Sequence, residues 1–324
     1  PIFAVYEPLS MVTVAESSAW MQAAIVLVAS APPLLLPELS VKASYAKMSQ
    51  YVHQLSNSYV NLPTDLWVPV TKRIPPIASH QFSAGLYYKL HKQYDFSVEG
   101  YYKYWDNLIE YKDESSVISS FSRWDERVAV GKGRSYGLEL LARRSAGKTT
   151  GWIAYTLSWT ERRFPDGSIC RGDWYPFKYD NRHKVNLTLS HRLSKRVELN
   201  ASWTYASGNR MTLLTDVFYD PNNQQNNGYP GHNGFWGTHA SSSGLRNNYQ
   251  LPAYHRLDLG MNIYRPKKSG NLGIWSVSLY NSYMKMNPFM VEPASYMEDG
   301  KQHVYLQRLT LFACMPSVSY TYKF

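Results

Sequence analysis

The sequence predicts an all-β protein, an antiparallel transmembrane β-barrel, and three observations predict it. The first is a hairpin at residues 180–207, DNRHKVNLTLSHRLSKRVELNASWTYAS, which alternates apolar and polar residues on both sides of a tight turn. The second is a sorting of the loops: about ten strands of this kind follow one another, and their connections alternate strictly between long and short. The third is the aromatic content, 15% of 324 residues, together with a last alternating strand that finishes on Phe324.

In the hairpin, Val185, Leu187 and Leu189 share one face, and Lys184, Asn186, Thr188 and Ser190 the other. After the turn at Ser194, Lys195 and Arg196, Val197, Leu199, Ala201, Trp203 and Tyr205 face one way, opposite Glu198, Asn200, Ser202 and Thr204. Strands of about 11 to 13 residues exceed the roughly 5 to 6 usual in soluble proteins, and a tilted membrane-crossing strand needs about 9 to 11. Aromatics at the end of the apolar face suit the border of a lipid-facing band.

Composition agrees. With 27 Tyr and 10 Trp the chain is too rich in buried-type surface for disorder. A mean hydropathy of -0.40 excludes a bundle of membrane helices. It suits a barrel whose polar lumen and loops offset its lipid face. The net charge of +10 sits at strand ends and in loops, not on one face, so nucleic-acid binding is not expected. An anionic ligand or lipid head groups are the better partners. The two cysteines, Cys170 in a loop and Cys314 in a strand, have no metal-binding spacing.

Residues 1–38 form a segment set apart. They show neither strand alternation nor a helical period, and their apolar run Ala19–Leu36 is cut by Pro32 and Pro33. The segment is expected to be foreign to the fold, and residues 39–324 to form the barrel portion. Leu39, Val41, Ala43 and Tyr45 open the first strand. A polar connection, residues 50–79, follows. Phe82, Ala84, Leu86 and Tyr88 then point outward, and after a turn at His91 and Lys92 so do Phe96, Val98, Gly100, Tyr102 and Tyr104.

After a second long connection, Tyr136, Leu138 and Leu140 oppose Gly137, Glu139 and Leu141. A turn at Ala146, Gly147 and Lys148 leads to outward Ile153, Tyr155, Leu157 and Trp159. Residues 163–181 connect to the opening hairpin, and residues 208–253 form the longest connection. Leu257, Leu259, Met261 and Ile263 then turn through residues 267–270 to Trp275, Val277 and Leu279. A connection at residues 285–303 precedes the last strand, with Val318, Tyr320, Tyr322 and Phe324 outward. Short turns belong to the periplasmic side and long loops outside, so the chain ends at the periplasm. Inward Lys184, Glu198 and Arg143 need a hydrated or plugged lumen.

Few motifs suggest chemistry. Gly131, Gly133 and Gly137 lie in a loop-to-strand stretch with no helix after it, so they serve backbone crowding and not a phosphate. No HExxH or paired-histidine spacing occurs, and Asp220, Asn222 and Asn223 lack the closing Glu of a calcium loop. Neither a catalytic residue nor a metal or cofactor is expected. Ligand contact is assigned to loop residues held by a rigid scaffold: Trp67, Trp174, Tyr229, His232, Phe235 and Trp236, whose rings suit stacking on sugars or chelates.

With these residues on view, the chain resembles the C-terminal barrel portion of a TonB-dependent outer-membrane receptor of the Bacteroidetes type. The resemblance is carried by VKASYAKMSQYVHQLSNS, LPTDLWVPVTK, FSVEGYYKYWDNLIEYKD, GKGRSYGLELLARR, TGWIAYTLSWTERRF, WYPFKYDNRHKVNLTLSHRL, LPAYHRLDLGMNIYR, YNSYMKMNPF and PSVSYTYKF. It implies a barrel of about 22 strands, of which the plug domain, the TonB-contacting segment and the first half are expected to be missing here. A frameshifted or misassembled gene would account for residues 11–36.

The resemblance also implies energy-coupled import of a scarce small-molecule ligand, an iron chelate, cobalamin, a glycan or a peptide. Its implied partners are outer-membrane lipid, the TonB–ExbB–ExbD system acting through the plug, and the barrel assembly machinery acting on Phe324. The alternative is a self-contained small outer-membrane barrel acting as a pore or an adhesin. The gene upstream discriminates the two, because a plug domain implies the receptor.

Overall fold

The computed structural model describes residues 13–14, 21–31, 38–56, 65–112, 123–213, 216–219, 239–242, 245–267, 270–298 and 301–324. Eleven of the described strands, nine to eighteen residues each, form one antiparallel sheet in chain order. They are β1 Met21–Ala31, β2 Leu39–Gln50, β3 Ile77–Leu90, β4 Tyr94–Tyr111, β5 Val128–Arg144 and β6 Thr149–Arg163. The series continues with β7 His183–Arg192, β8 Val197–Ala206, β9 Tyr254–Pro266, β10 Leu272–Tyr280 and β11 Met315–Lys323.

β2 to β11 are the predicted strands in the predicted order. β1 differs from the sequence reading, which found no strand before Leu39. Its run AIVLVA is apolar without interruption, so a search for alternation passes over it. β-Branched residues favour strands, and the pairing with β2 sets Leu27 opposite Tyr45 and Ala29 opposite Ala43 in register. A second difference lies before β11. The predicted loop at residues 285–303 contains most of a hairpin, Met290–Glu298 paired with Lys301–Leu309, so that connection runs from Asn281 to Cys314. Cys314 consequently ends a loop, not a strand, and both it and Cys170 are free thiols.

The register preserves the outward set across the sheet. One row runs Val41, Leu86, Val98, Leu140, Tyr155, Val185, Tyr205. Leu86 and Val98 are 50% and 44% exposed, an arrangement tolerable only where lipid replaces water. The opposite face is polar and self-satisfying. Ser44 and Ser83 hydrogen-bond at 2.7 Å, Ser278 and Ser317 at 2.6 Å, and Glu198 accepts from Ser190 and Tyr264.

Buried hydrophobic clusters gather where the long connections lie, not along the middle of the strands. One holds Leu55, Val68, Ile74, Ile109, Tyr111 and Val128; another holds Phe164, Ile169, Cys170 and Tyr175. The loops of this end therefore carry packing cores of their own, while the opposite end consists of tight turns. At the turn between β3 and β4, His91 and Lys92 both adopt positive φ, 49° and 55°, the geometry that matches a two-residue hairpin to strand twist.

Candidate functional site

The loop end is the candidate site, and a β-bulge begins it. β4 and β5 pair residue for residue until Asp106, where the register slips and Leu108 meets Gly131. The extra residue, Asn107, takes φ 63° and donates its side-chain amide to the Pro76 carbonyl at 2.9 Å. Below the bulge, even-numbered residues of β4 face lipid. Above it they turn inward, which delivers Glu110 to the lumen side of the sheet. Gly131 and Gly137 sustain the close strand approach in β5. A Cβ at either would stand 2.4 Å from a carbonyl oxygen of β6, that of Arg163 or of Leu157.

Glu110 is the centre of a buried network. Its carboxylate pairs with Arg162 of β6 and, at 3.0 Å, with Arg246 of the longest connection. It also accepts the Tyr175 hydroxyl at 2.6 Å. Arg246 donates in addition to the Tyr111 carbonyl at 2.5 Å, and Asn247 donates to the Pro176 carbonyl at 2.8 Å. Burial, and then the Glu110 charge, push the Tyr175 phenol far above its ordinary range, so it remains a donor. One carboxylate thus fastens two strands and two loops together.

A second carboxylate acts beside it. Asp180, 2% exposed, accepts the Thr160 backbone N–H at 2.9 Å and pairs with Arg182 at 3.2 Å and Arg210 at 3.4 Å. Between the two networks the segment Phe177–Lys178–Tyr179 turns over the mouth. The Arg162 guanidinium lies 3.6 Å from the Phe177 ring centroid, and Phe177 meets Tyr179 edge-on at 5.3 Å. Lys178 reaches Ser56 Oγ at 3.1 Å, linking this loop to the first long connection, and burial lowers its pKa. Guanidinium, ammonium and aromatic faces side by side form a surface that can hold an anionic or aromatic ligand.

The predicted contact residues are placed unevenly. Trp67 stands 62% exposed on the short strand Leu66–Pro69. One face of the Trp174 ring is covered by the Arg134 guanidinium, 4.3 Å from its centroid. Tyr229, His232, Phe235 and Trp236 lie outside the described residues. Sequence reasoning missed Glu110, Tyr175, Asp180 and Arg246. The usable signal was a set of charged residues at strand ends, Glu110, Arg162 and Asp180, beyond the level where the outward aromatics stop.

Comparison with known proteins decides the family. The family model "TonB dependent receptor-like, beta-barrel" matches residues 25–281. The chain belongs to this family. The TonB-dependent receptors are transport receptors of the Gram-negative outer membrane, and that is where this barrel sits. A search of curated proteins found no match.

Solved structures show the same fold. The ferric yersiniabactin uptake receptor FyuA of Yersinia pestis aligns with TM-score 0.53 and 13% identity over 94% of this chain and 38% of that one. The ferric preacinetobactin receptor BauA of Acinetobacter baumannii aligns with TM-score 0.51 and 12% identity over 93% and 36%. The ferric citrate transporter FecA gives TM-score 0.51 and 10% identity over 93% and 38%. The chain spans between 29% and 38% of the length of the solved structures it matches.

Proposed function

We propose that this segment forms barrel wall and ligand mouth of an outer-membrane receptor that captures a scarce ligand and imports it by TonB-coupled energy. The observation that carries the reading is the Glu110 network. A buried carboxylate tied to Arg162, Arg246 and Tyr175 joins two loop segments to the strand ends as a preformed rim. Preorganisation of this kind reduces the ordering cost of binding and favours a high-affinity receptor over an open pore.

An iron chelate is the first ligand class to test, ahead of cobalamin, a glycan or a peptide. FyuA and BauA bear the names of ferric chelate receptors, and the aromatic and cationic rim around Phe177, Lys178 and Tyr179 suits a flat anionic ligand. Trp67 and the loop residues Tyr229, His232, Phe235 and Trp236 are the further contacts proposed. TonB, ExbB and ExbD would act through a plug domain inside the completed barrel. Phe324, fully exposed and edge-on to Tyr322 at 5.0 Å, is the proposed handle for the barrel assembly machinery.

The experiment is uptake by cells carrying the receptor in their outer membrane. Ferric chelates, cobalamin and oligosaccharides are compared with and without an active TonB system. TonB-dependent accumulation of one ligand is the expected result. TonB-independent passage would overturn the reading in favour of a pore, and surface binding without passage in favour of an adhesin.

A further inference from the structure

The lumen face of the sheet is two different surfaces. On β2 to β5, charge and bulk stand midway along the strands. Lys42, Gly85, Glu99 and Glu139 follow one another in cross-strand register. Tyr87 stands beside them, donating to Glu99 at 2.5 Å with the Lys42 ammonium 4.7 Å from its ring. A polar solute sliding over this half meets fixed charges that hold it or turn it away.

On β7 to β11 the lumen face is short, neutral and rich in hydroxyls and amides. One row crosses five strands as Ser190, Asn200, Gly260, Ser278 and Ser317. The next row toward the turns carries Asn262, Ser276 and Ser319, and the next toward the loops carries Thr188 and Ser202. Among the described residues, charge borders this stretch only at its ends, and partners hold it there. Toward the loops Arg256 pairs with Asp258 at 2.9 Å and donates to the Tyr280 hydroxyl at 2.8 Å. Toward the turns Glu198 lies in register with Arg192 and accepts from Ser190 at 3.0 Å and Tyr264 at 3.3 Å. From Arg256 to Tyr264 runs roughly 27 Å of strand at about 3.4 Å per residue, and a tilted strand of that length covers the greater part of the hydrocarbon layer.

We infer that imported ligand leaves the mouth along this wall, between β7 to β11 and the plug, and that its Ser, Thr and Asn rows are the track. The inference rests on the reading of the chain as part of an import receptor. Hydroxyls and amides both donate and accept, so a solute exchanges one weak set of hydrogen bonds for the next and is never trapped. Short side chains leave the room, and Gly260 is the lowest point of the surface. An apolar solute would strip water from these groups without replacing its hydrogen bonds, so the cargo is a polar one.

The test uses the complete receptor in energised cells. Iron-loaded citrate and catecholate chelates, cyanocobalamin and maltoheptaose are offered, and the one that the unaltered receptor accumulates is the probe. Gly260→Trp puts bulk on the track; a Cβ there meets nothing closer than the Asn200 Cβ at 3.7 Å, so the backbone is left in place. Binding of the probe on ice is expected to be unchanged and TonB-dependent uptake to fall about tenfold, while Ser83→Trp on β3 keeps uptake within about twofold.

Single cysteines give a second reading that needs no bulk. A membrane-impermeant maleimide is expected to label Ser276→Cys about fivefold faster in transporting cells than in cells without TonB, and Ser83→Cys at one rate in both. Full uptake by Gly260→Trp, or equal acceleration at both cysteines, would overturn the inference and leave the receptor reading standing. If Gly260→Trp fails to assemble, the cysteine pair decides. If the unaltered receptor accumulates none of the probes, the receptor reading fails and the track with it.

Discussion

Arg246 donates to the Glu110 carboxylate at 3.0 Å although 136 positions of sequence separate them. This single pair brings the longest connection down onto the end of β4. It gives the mouth a fixed rim where loop composition alone suggests none.

Removing the charge should therefore loosen loops and leave the wall intact. Glu110→Gln keeps an acceptor for Tyr175 but leaves two mostly buried guanidinium groups without their counter-ion. A loss of about 3 kcal/mol in local stability is expected. Hydrogen exchange should accelerate at residues 245–248 and 169–176 while the amides of β7 and β8 stay protected. Unchanged exchange in both loop segments would refute the role given to Glu110.

Acid should act on the first long connection through His53. The ring is fully buried in the short strand Val52–Leu55, and burial lowers its pKa, partly offset by the nearby Pro75 backbone carbonyl. A histidine with a lowered folded-state pKa is protonated more readily when unfolded. Its contribution is therefore complete above the unfolded value of 6.5 and is lost as pH falls from there toward the folded pKa. Hydrogen exchange of residues 52–55 should quicken below that value, and His53→Phe should flatten the dependence. An identical pH profile in the variant would dismiss His53 as the cause.

The two faces of β7 make opposite demands. Leu187 points to lipid and Asn186 to the lumen, where it accepts from Thr204 at 3.3 Å. Leu187→Arg should cost about 2 to 4 kcal/mol at the membrane midplane. Asn186→Arg should cost much less, because its side chain stays hydrated. Urea titration of the receptor in lipid bilayers reads both, and equal losses would contradict the assigned faces.

The β3–β4 turn holds two non-glycine residues at positive φ, His91 and Lys92. Asn-Gly suits that geometry better, and the double substitution should stabilise the barrel by about 1 kcal/mol. A lowered midpoint in the same urea titration would show that these side chains hold the turn by other means.

The wall was legible in the sequence because its physics is local. Each of β2 to β11 declares itself through alternation, and the short turns fix register before any distant contact is considered. β1 was hidden because Ile25, Val26, Leu27 and Val28 give no contrast between faces. The hairpin before β11 was hidden because loop strands need not be apolar on one side. The mouth was least legible. Glu110, Arg162, Tyr175 and Arg246 meet through a bulge, two strand ends and two separate connections, and nothing in the spacing of a single sequence encodes such a meeting. Trp174 shows a partner that composition does not reveal: one face of this loop tryptophan is covered by Arg134.

The one-residue slip at Asn107 separates two kinds of change that the protein can tolerate. Above it, a gained or lost residue rearranges the rim and leaves every inside–outside assignment of the wall untouched. Below it, the same event would invert β4 and set its neighbours at odds along their whole length. The bulge thus uncouples the register of the wall from the shape of the rim.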